Sequence, residues 1–131
     1  MLPRSELKKL ARSRLEESKV LFRARKFDGA AYLCGYAVEL ALKARICATL
    51  KWTGFPETRR EFEPFASFKT HKLDVLLSLS GIQQRTKTSF LAEWSSVVAW
   101  EPEVRYKPVG TASKAETQLM LSSAEVLLRV I

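Results

Sequence analysis

The sequence predicts an all-α fold: an up-and-down four-helix bundle with a fifth helix or helical turn, forming a single domain over residues 1–131. Three observations carry that expectation. Apolar residues recur at helical spacing in every long segment, and no segment alternates with the period of two that a half-buried strand needs. The five prolines stand at positions 3, 56, 64, 102 and 108, leaving long windows free of the residue that most effectively interrupts a helix. The chain is 47% hydrophobic and 27% charged over 131 residues, which suits a globular domain with one core and excludes a disordered or collagen-like chain.

The first helix is expected from Ser5, as N-cap, to Lys26. Leu7, Leu10, Ala11, Leu15, Leu21 and Phe22 share one side of it at 100° per residue. Asp28 and Gly29 supply turn chemistry. The second helix, about Ala30 to Leu50, is the most apolar stretch and should form the centre of the core. Gly35 inside it implies that a neighbouring helix passes close by, since glycine there costs about 1 kcal/mol against alanine. From Lys51 to Thr70 the periodicity stops. Gly54, Pro56 and Pro64 break any long helix, while Phe55, Phe62, Phe65 and Phe68 must find cover. A structured loop with a helical turn, folded back on the bundle, answers both demands.

A third helix is expected after Thr70, as N-cap, ending at Gly81. The fourth, about Ser89 to Trp100, places Phe90, Leu91, Trp94, Val97 and Val98 on one stripe. Pro102 and Pro108 enclose an irregular segment. Ser113 and Glu116 have the spacing of a capping box, in which hydroxyl and carboxylate each satisfy an amide of the other residue. The fifth helix follows to Ile131, with Leu119, Val126, Leu127 and Val130 facing inward. Met120 and the leucines of this helix belong to the core or to a dimer interface. We find no internal repeat and no domain boundary.

Charged residues divide the longest apolar stretch, so a membrane span is not expected. The N-terminus is charged where a signal peptide would carry its apolar region. A soluble, cytoplasmic protein is the expectation. Cys34 and Cys47 lie on one predicted helix about 20 Å apart, beyond the roughly 7 Å that a disulfide spans. With one histidine and no paired cysteine motif, no metal site and no cofactor are expected. No glycine-rich phosphate loop occurs either.

Lysine and arginine number 22 against 14 acidic residues, a net charge of +8. Residues 1–26 hold nine cations against Glu6, Glu16 and Glu17, and so carry six of those net charges. A basic surface attracts phosphates of nucleotides or nucleic acid, or an acidic partner, and equally serves as a solvated face.

The second helix holds the most informative constellation. Tyr32, Tyr36, Glu39 and Lys43 project into an arc of about 60°. Glu39 and Lys43 form an acid-before-base pair at i,i+4. The arc is either a solvent-facing stripe or one wall of a polar cleft, in which tyrosines stack on a base and hydrogen-bond. On the first helix Arg14, Ser18 and Arg25 project into the apolar stripe. Arginines there either snorkel outward or meet an anion, Glu39 or a bound phosphate. Arg105 and Tyr106 follow Trp94 and Trp100. They form a stacking plug at the bundle end, or offer a phosphate contact and a base or ribose contact.

The run Ala30-Ala-Tyr-Leu-Cys-Gly-Tyr-Ala-Val-Glu-Leu-Ala-Leu-Lys-Ala44, then Phe68-Lys-Thr-His-Lys-Leu-Asp-Val-Leu-Leu77, then Trp100 and Arg105-Tyr106 resemble the HEPN domain family (higher eukaryotes and prokaryotes nucleotide-binding). The resemblance spans residues 5–131 in order. It implies a helical bundle similar to the C-terminal domain of kanamycin nucleotidyltransferase, and a homodimer. It also implies a separately encoded minimal nucleotidyltransferase as partner, in toxin–antitoxin or related defence settings. Many members are metal-independent RNases that use an arginine and a histidine with four to six residues between them. This chain departs from that motif: upstream of its single His71, the positions where the arginine would stand are Pro64, Phe65 and Ala66. Catalysis is therefore not carried over, and no catalytic residue is assigned. His71 is expected either to hydrogen-bond a neighbouring element or to contact a ligand.

The functional expectation is a non-catalytic protein binding a nucleotide or nucleic-acid phosphate in a basic polar cleft lined by the first two helices. Tyr32, Tyr36, Glu39, Lys43, Arg105 and Tyr106 are the candidate contacts, with Arg14, Arg25 and His71 behind them. Glu39 would accept from ribose or base, or orient Lys43. The alternatives are a toxin-class RNase with a non-standard active site and a structural interaction module with no ligand.

Overall fold

The computed structural model describes residues 1–131, and its architecture is all-α. Helix α1, Arg4–Arg23, turns Leu7, Ala11, Leu15 and Ser18 inward, a spacing of about one turn each that places them on one stripe. The chain reverses through Ala24–Lys26 and enters α2, Phe27–Leu50. The reversal comes earlier than expected. Arg25 takes the left-handed conformation at φ 62°, and Lys26 N–H bonds the Leu21 carbonyl at 2.8 Å. Asp28 and Gly29 consequently lie inside the first turn of α2 rather than in the loop.

Helix α2 is the central rod, packed against α1 and against α4 and α7 described below. Apolar residues surround most of it, as a helix covered on several sides requires. Gly35 does mark a close approach, though by a side chain rather than a helix. A Cβ there would overlap the Trp100 indole, which closes the fourth predicted helix and is itself buried.

The 51–70 segment is a structured cover, as its phenylalanines demand. Lys51 caps α2 in the left-handed conformation. A two-residue strand β2, Gly54–Phe55, pairs antiparallel with β1, Leu2–Pro3. Helix α3, Arg59–Phe62, starts in a complete capping box between Thr58 and Glu61, and a 3₁₀ turn, Glu63–Phe68, follows. Trp52 gathers the aromatics, with its ring centre 4.8 Å from that of Phe65 and 5.0 Å from that of Phe68.

Helix α4, Leu73–Ser80, has Lys72 rather than Thr70 as N-cap. Thr70 instead accepts the Lys72 N–H on its Oγ1 at 3.1 Å. Gly81 ends the helix at φ 81°. The predicted fourth helix is two: α5, Gln83–Ser89, and α6, Leu91–Val97, broken at Phe90 with φ −132° and ψ 34°. Leu91, predicted to face inward, is exposed because that break rotates the stripe away from it. A 3₁₀ turn, Pro102–Tyr106, leads to α7, Lys114–Val130. Ser113 Oγ accepts the Glu116 N–H at 3.1 Å, so half of the expected box forms. Leu119 is exposed, while Leu121, Ala124 and Leu127 enter the core. Cys34 and Cys47 are buried free thiols. No helix is long and apolar enough to cross a membrane.

Candidate functional site

The arc on α2 is not a solvent-facing stripe. Glu39 is 1% exposed, with its carboxylate held between two other elements. Its Oε1 bonds His71 Nδ1 and lies 3.6 Å from Lys43 Nζ. Its Oε2 is buried without a hydrogen-bond partner. An isolated buried carboxylate would cost several kcal/mol, so the site depends on those two partners. His71 reaches Glu39 because the turn before α4 carries it back over α2. Lys43 is 17% exposed, and its ammonium stands 5.3 Å from the ring centre of Phe55, which β2 presents.

Glu39 thus cannot act as a direct acceptor from ribose or base, because no surface remains for a ligand to touch. Its role is to hold His71 and Lys43. The His71 side chain, 63% exposed, bonds a neighbouring element through Nδ1, the first of the two roles expected of it, and its remaining face is open to solvent.

Toward the N-terminal end of α2, the Tyr36 and Tyr32 rings lie 6.4 Å apart at 18°, nearly parallel. Tyr32 also meets Trp100 at 6.2 Å. Burial pushes the Tyr36 phenol above its ordinary range, and the negative charge of Glu39 adds to this while Arg14 opposes it. Arg14 is half-buried and paired with Glu17 at 2.6 Å. Arg105 donates from Nη1 to the Tyr32 hydroxyl at 3.4 Å and stands 5.0 Å from the ring centre of Tyr106. That makes an arginine–tyrosine stack, not the Trp/Arg plug considered from sequence.

The candidates therefore form a band. It runs from Tyr106 and Arg105 through Tyr32 and Tyr36 to Glu39, Lys43 and His71, with Arg14 beside it. They do not share one groove. Tyr32 and Arg105 line a cavity of about 610 Å³ with Trp100, Val104 and Met120, and the remaining candidates lie outside it. Arg25 is not part of the band. The backbone reversal turns its guanidinium over Phe27, 5.7 Å from the ring centre. Ser18, the other polar residue in the α1 stripe, is fully buried and donates to the Ala30 carbonyl at 2.5 Å. No group of three or more His, Cys, Asp or Glu side chains is placed to hold a metal ion.

Sequence reasoning missed the Glu39–His71 contact, which joins residues 32 positions apart. The only available signal was an acid inside the most apolar helix, a residue that needs a partner from somewhere.

The HEPN domain family model matches residues 5–60. The match covers α1, α2 and the approach to α3, and includes Arg14, Tyr32, Tyr36, Glu39 and Lys43; His71 and Arg105 lie beyond it. No curated protein and no solved structure matches the chain significantly. Over that matched helical pair, set in an all-helical bundle, the chain is similar to the HEPN domain family.

Proposed function

We propose that the protein binds a nucleotide or a nucleic-acid phosphate along the band on α2, without cleaving it. The family supports a nucleotide- or RNA-related helical domain. The observation that carries the finer reading is the buried Glu39 carboxylate, which fixes the Lys43 ammonium and the His71 imidazole side by side next to two tyrosine rings. The ammonium and the imidazole face phosphate oxygens, and the half-buried tyrosines provide a stacking surface for a base. Arg105 at the far end meets a second phosphate. The resemblance further supports a minimal nucleotidyltransferase acting in trans and a homodimer.

The test is a nucleotide panel read by thermal shift, with fluorescence anisotropy on a labelled single-stranded RNA. Binding should raise the melting temperature, since a ligand at 100 times its Kd adds about 2.7 kcal/mol. Lys43→Ala and Arg105→Ala should each weaken the RNA complex about tenfold. No shift with any nucleotide, and RNA affinity unchanged in both variants, would overturn the assignment.

One observation favours a second reading, that of an RNase. A carboxylate on Nδ1 orients the His71 ring while Nε2 makes no hydrogen bond within the chain, the arrangement of a positioned general base. Incubating RNA with the protein in EDTA separates the two. Intact RNA supports binding alone, whereas cleavage abolished by His71→Ala would replace it with catalysis.

A further inference from the structure

The side of α2 turned away from the tyrosines carries a second concavity. A cleft of about 410 Å³ opens between α1, α2 and the last turn of α7. Arg4, Lys8 and Arg12 line it from α1, spaced about one turn apart, with Arg45 from α2 and Arg129 from α7. No acidic side chain lines it. Arg129 is paired with Glu125 at 3.3 Å. The other four cations have no carboxylate within ion-pair distance, although Lys9, Arg14 and Lys19 on the same helix all do.

Two further features give the cleft a direction. The Arg45 Nε–H is buried without an acceptor, a penalty that an entering oxyanion would remove. The walls between the cations are apolar, Ala11, Ala41 and Ala44 with Leu128 and Ile131 from the end of the chain. No aromatic residue lines the cleft, and a base would find no ring to stack on. Charge density is what this surface reads. Five converging cations suit an anion whose charges are also close together.

We propose that this cleft is an anion site for clustered phosphate, a pyrophosphate or triphosphate group, separate from the band on the opposite side of α2. The phosphate comes either as free oligophosphate or as the tail of a nucleoside triphosphate. The proposal does not rest on the band's reading, because no residue is common to the two sites.

The experiment is isothermal titration calorimetry of the full chain with sodium tripolyphosphate at near-physiological salt, repeated on variants. Lys8→Gln/Arg12→Gln, both solvent-exposed and harmless to folding, should lose tripolyphosphate affinity about tenfold or more, and Arg45→Gln likewise, as expected for charge-assisted contacts. Lys43→Ala/Arg105→Ala should bind as the parent does. Absence of tripolyphosphate binding, or equal binding by Lys8→Gln/Arg12→Gln, overturns the site. So does loss of binding in Lys43→Ala/Arg105→Ala, which would move the anion to the band. A nucleoside triphosphate weakened by the cleft variants identifies its tail as the source. One weakened only by the band variants, with tripolyphosphate still lost in the cleft variants, identifies free oligophosphate.

Discussion

Glu39 shows how one residue can organise a surface it does not reach. Its charge is buried, so its two partners are held tightly. Replacing it with Gln keeps the shape but removes the charge that holds them. Glu39→Gln should therefore stay folded yet bind RNA several-fold more weakly, as measured by anisotropy. Gly35 is constrained in the opposite sense, by the Trp100 ring pressed against its backbone. Gly35→Ala should cost about 1–3 kcal/mol through overpacking, seen as a lower urea midpoint with an unchanged slope. Cys34 is constrained by its surroundings. Burial pushes its thiol up to about 12, so the thiol stays neutral and shielded in the folded protein. A disulfide reagent at pH 8 should leave Cys34 unmodified until the protein is denatured. The stability from keeping this thiol neutral is complete below pH 9 and declines as pH rises toward 12.

Among the elements, the first turn of α2 and the loop before α7 are joined by Asp28. Its carboxylate accepts the Gly110 N–H at 2.7 Å and the Ala112 N–H at 2.9 Å. These bonds, that from Ala112 first, hold its pKa below the ordinary carboxylate value. Because the folded pKa is depressed, the stabilisation is present above about pH 4 and lost as pH falls below it. Asp28→Ala should make the 108–112 loop more sensitive to limited proteolysis at neutral pH, and at low pH the difference from the parent should shrink. At the reversal itself, Arg25 holds a left-handed conformation that costs a non-glycine residue about 1–2 kcal/mol. Arg25→Gly should raise stability by about 0.5–1 kcal/mol after the larger chain entropy of glycine. RNA affinity should not change, since Arg25 stacks on Phe27 and takes no part in the band.

Across the whole molecule, α2 separates two chemically different surfaces. One side carries rings, an imidazole and single cations around a buried acid, and the other carries cations without rings. How much of this could be read from the chain depended on the range of the interaction. The arc from Tyr32 to Lys43 and the Glu39–Lys43 pair are properties of one helix, and 100° spacing was enough to show them. The split of the predicted fourth helix at Phe90 was not legible, because α5 has only Thr86 buried and so lacks the apolar rhythm that announces a helix. Arg45, Arg129 and Arg4 come from three elements, and nothing in their spacing suggests a common cleft.

By itself the sequence determined a helical domain, its most apolar rod and the polar arc along that rod, because periodicity and local pairing are written within a few turns of chain. Tertiary structure alone decided that Glu39 is buried, that His71 is its partner, that Arg25 turns away and that four unpaired cations converge behind α2. Each of those outcomes depends on which distant segments pack together, and burial and charge pairing act through space rather than along the backbone.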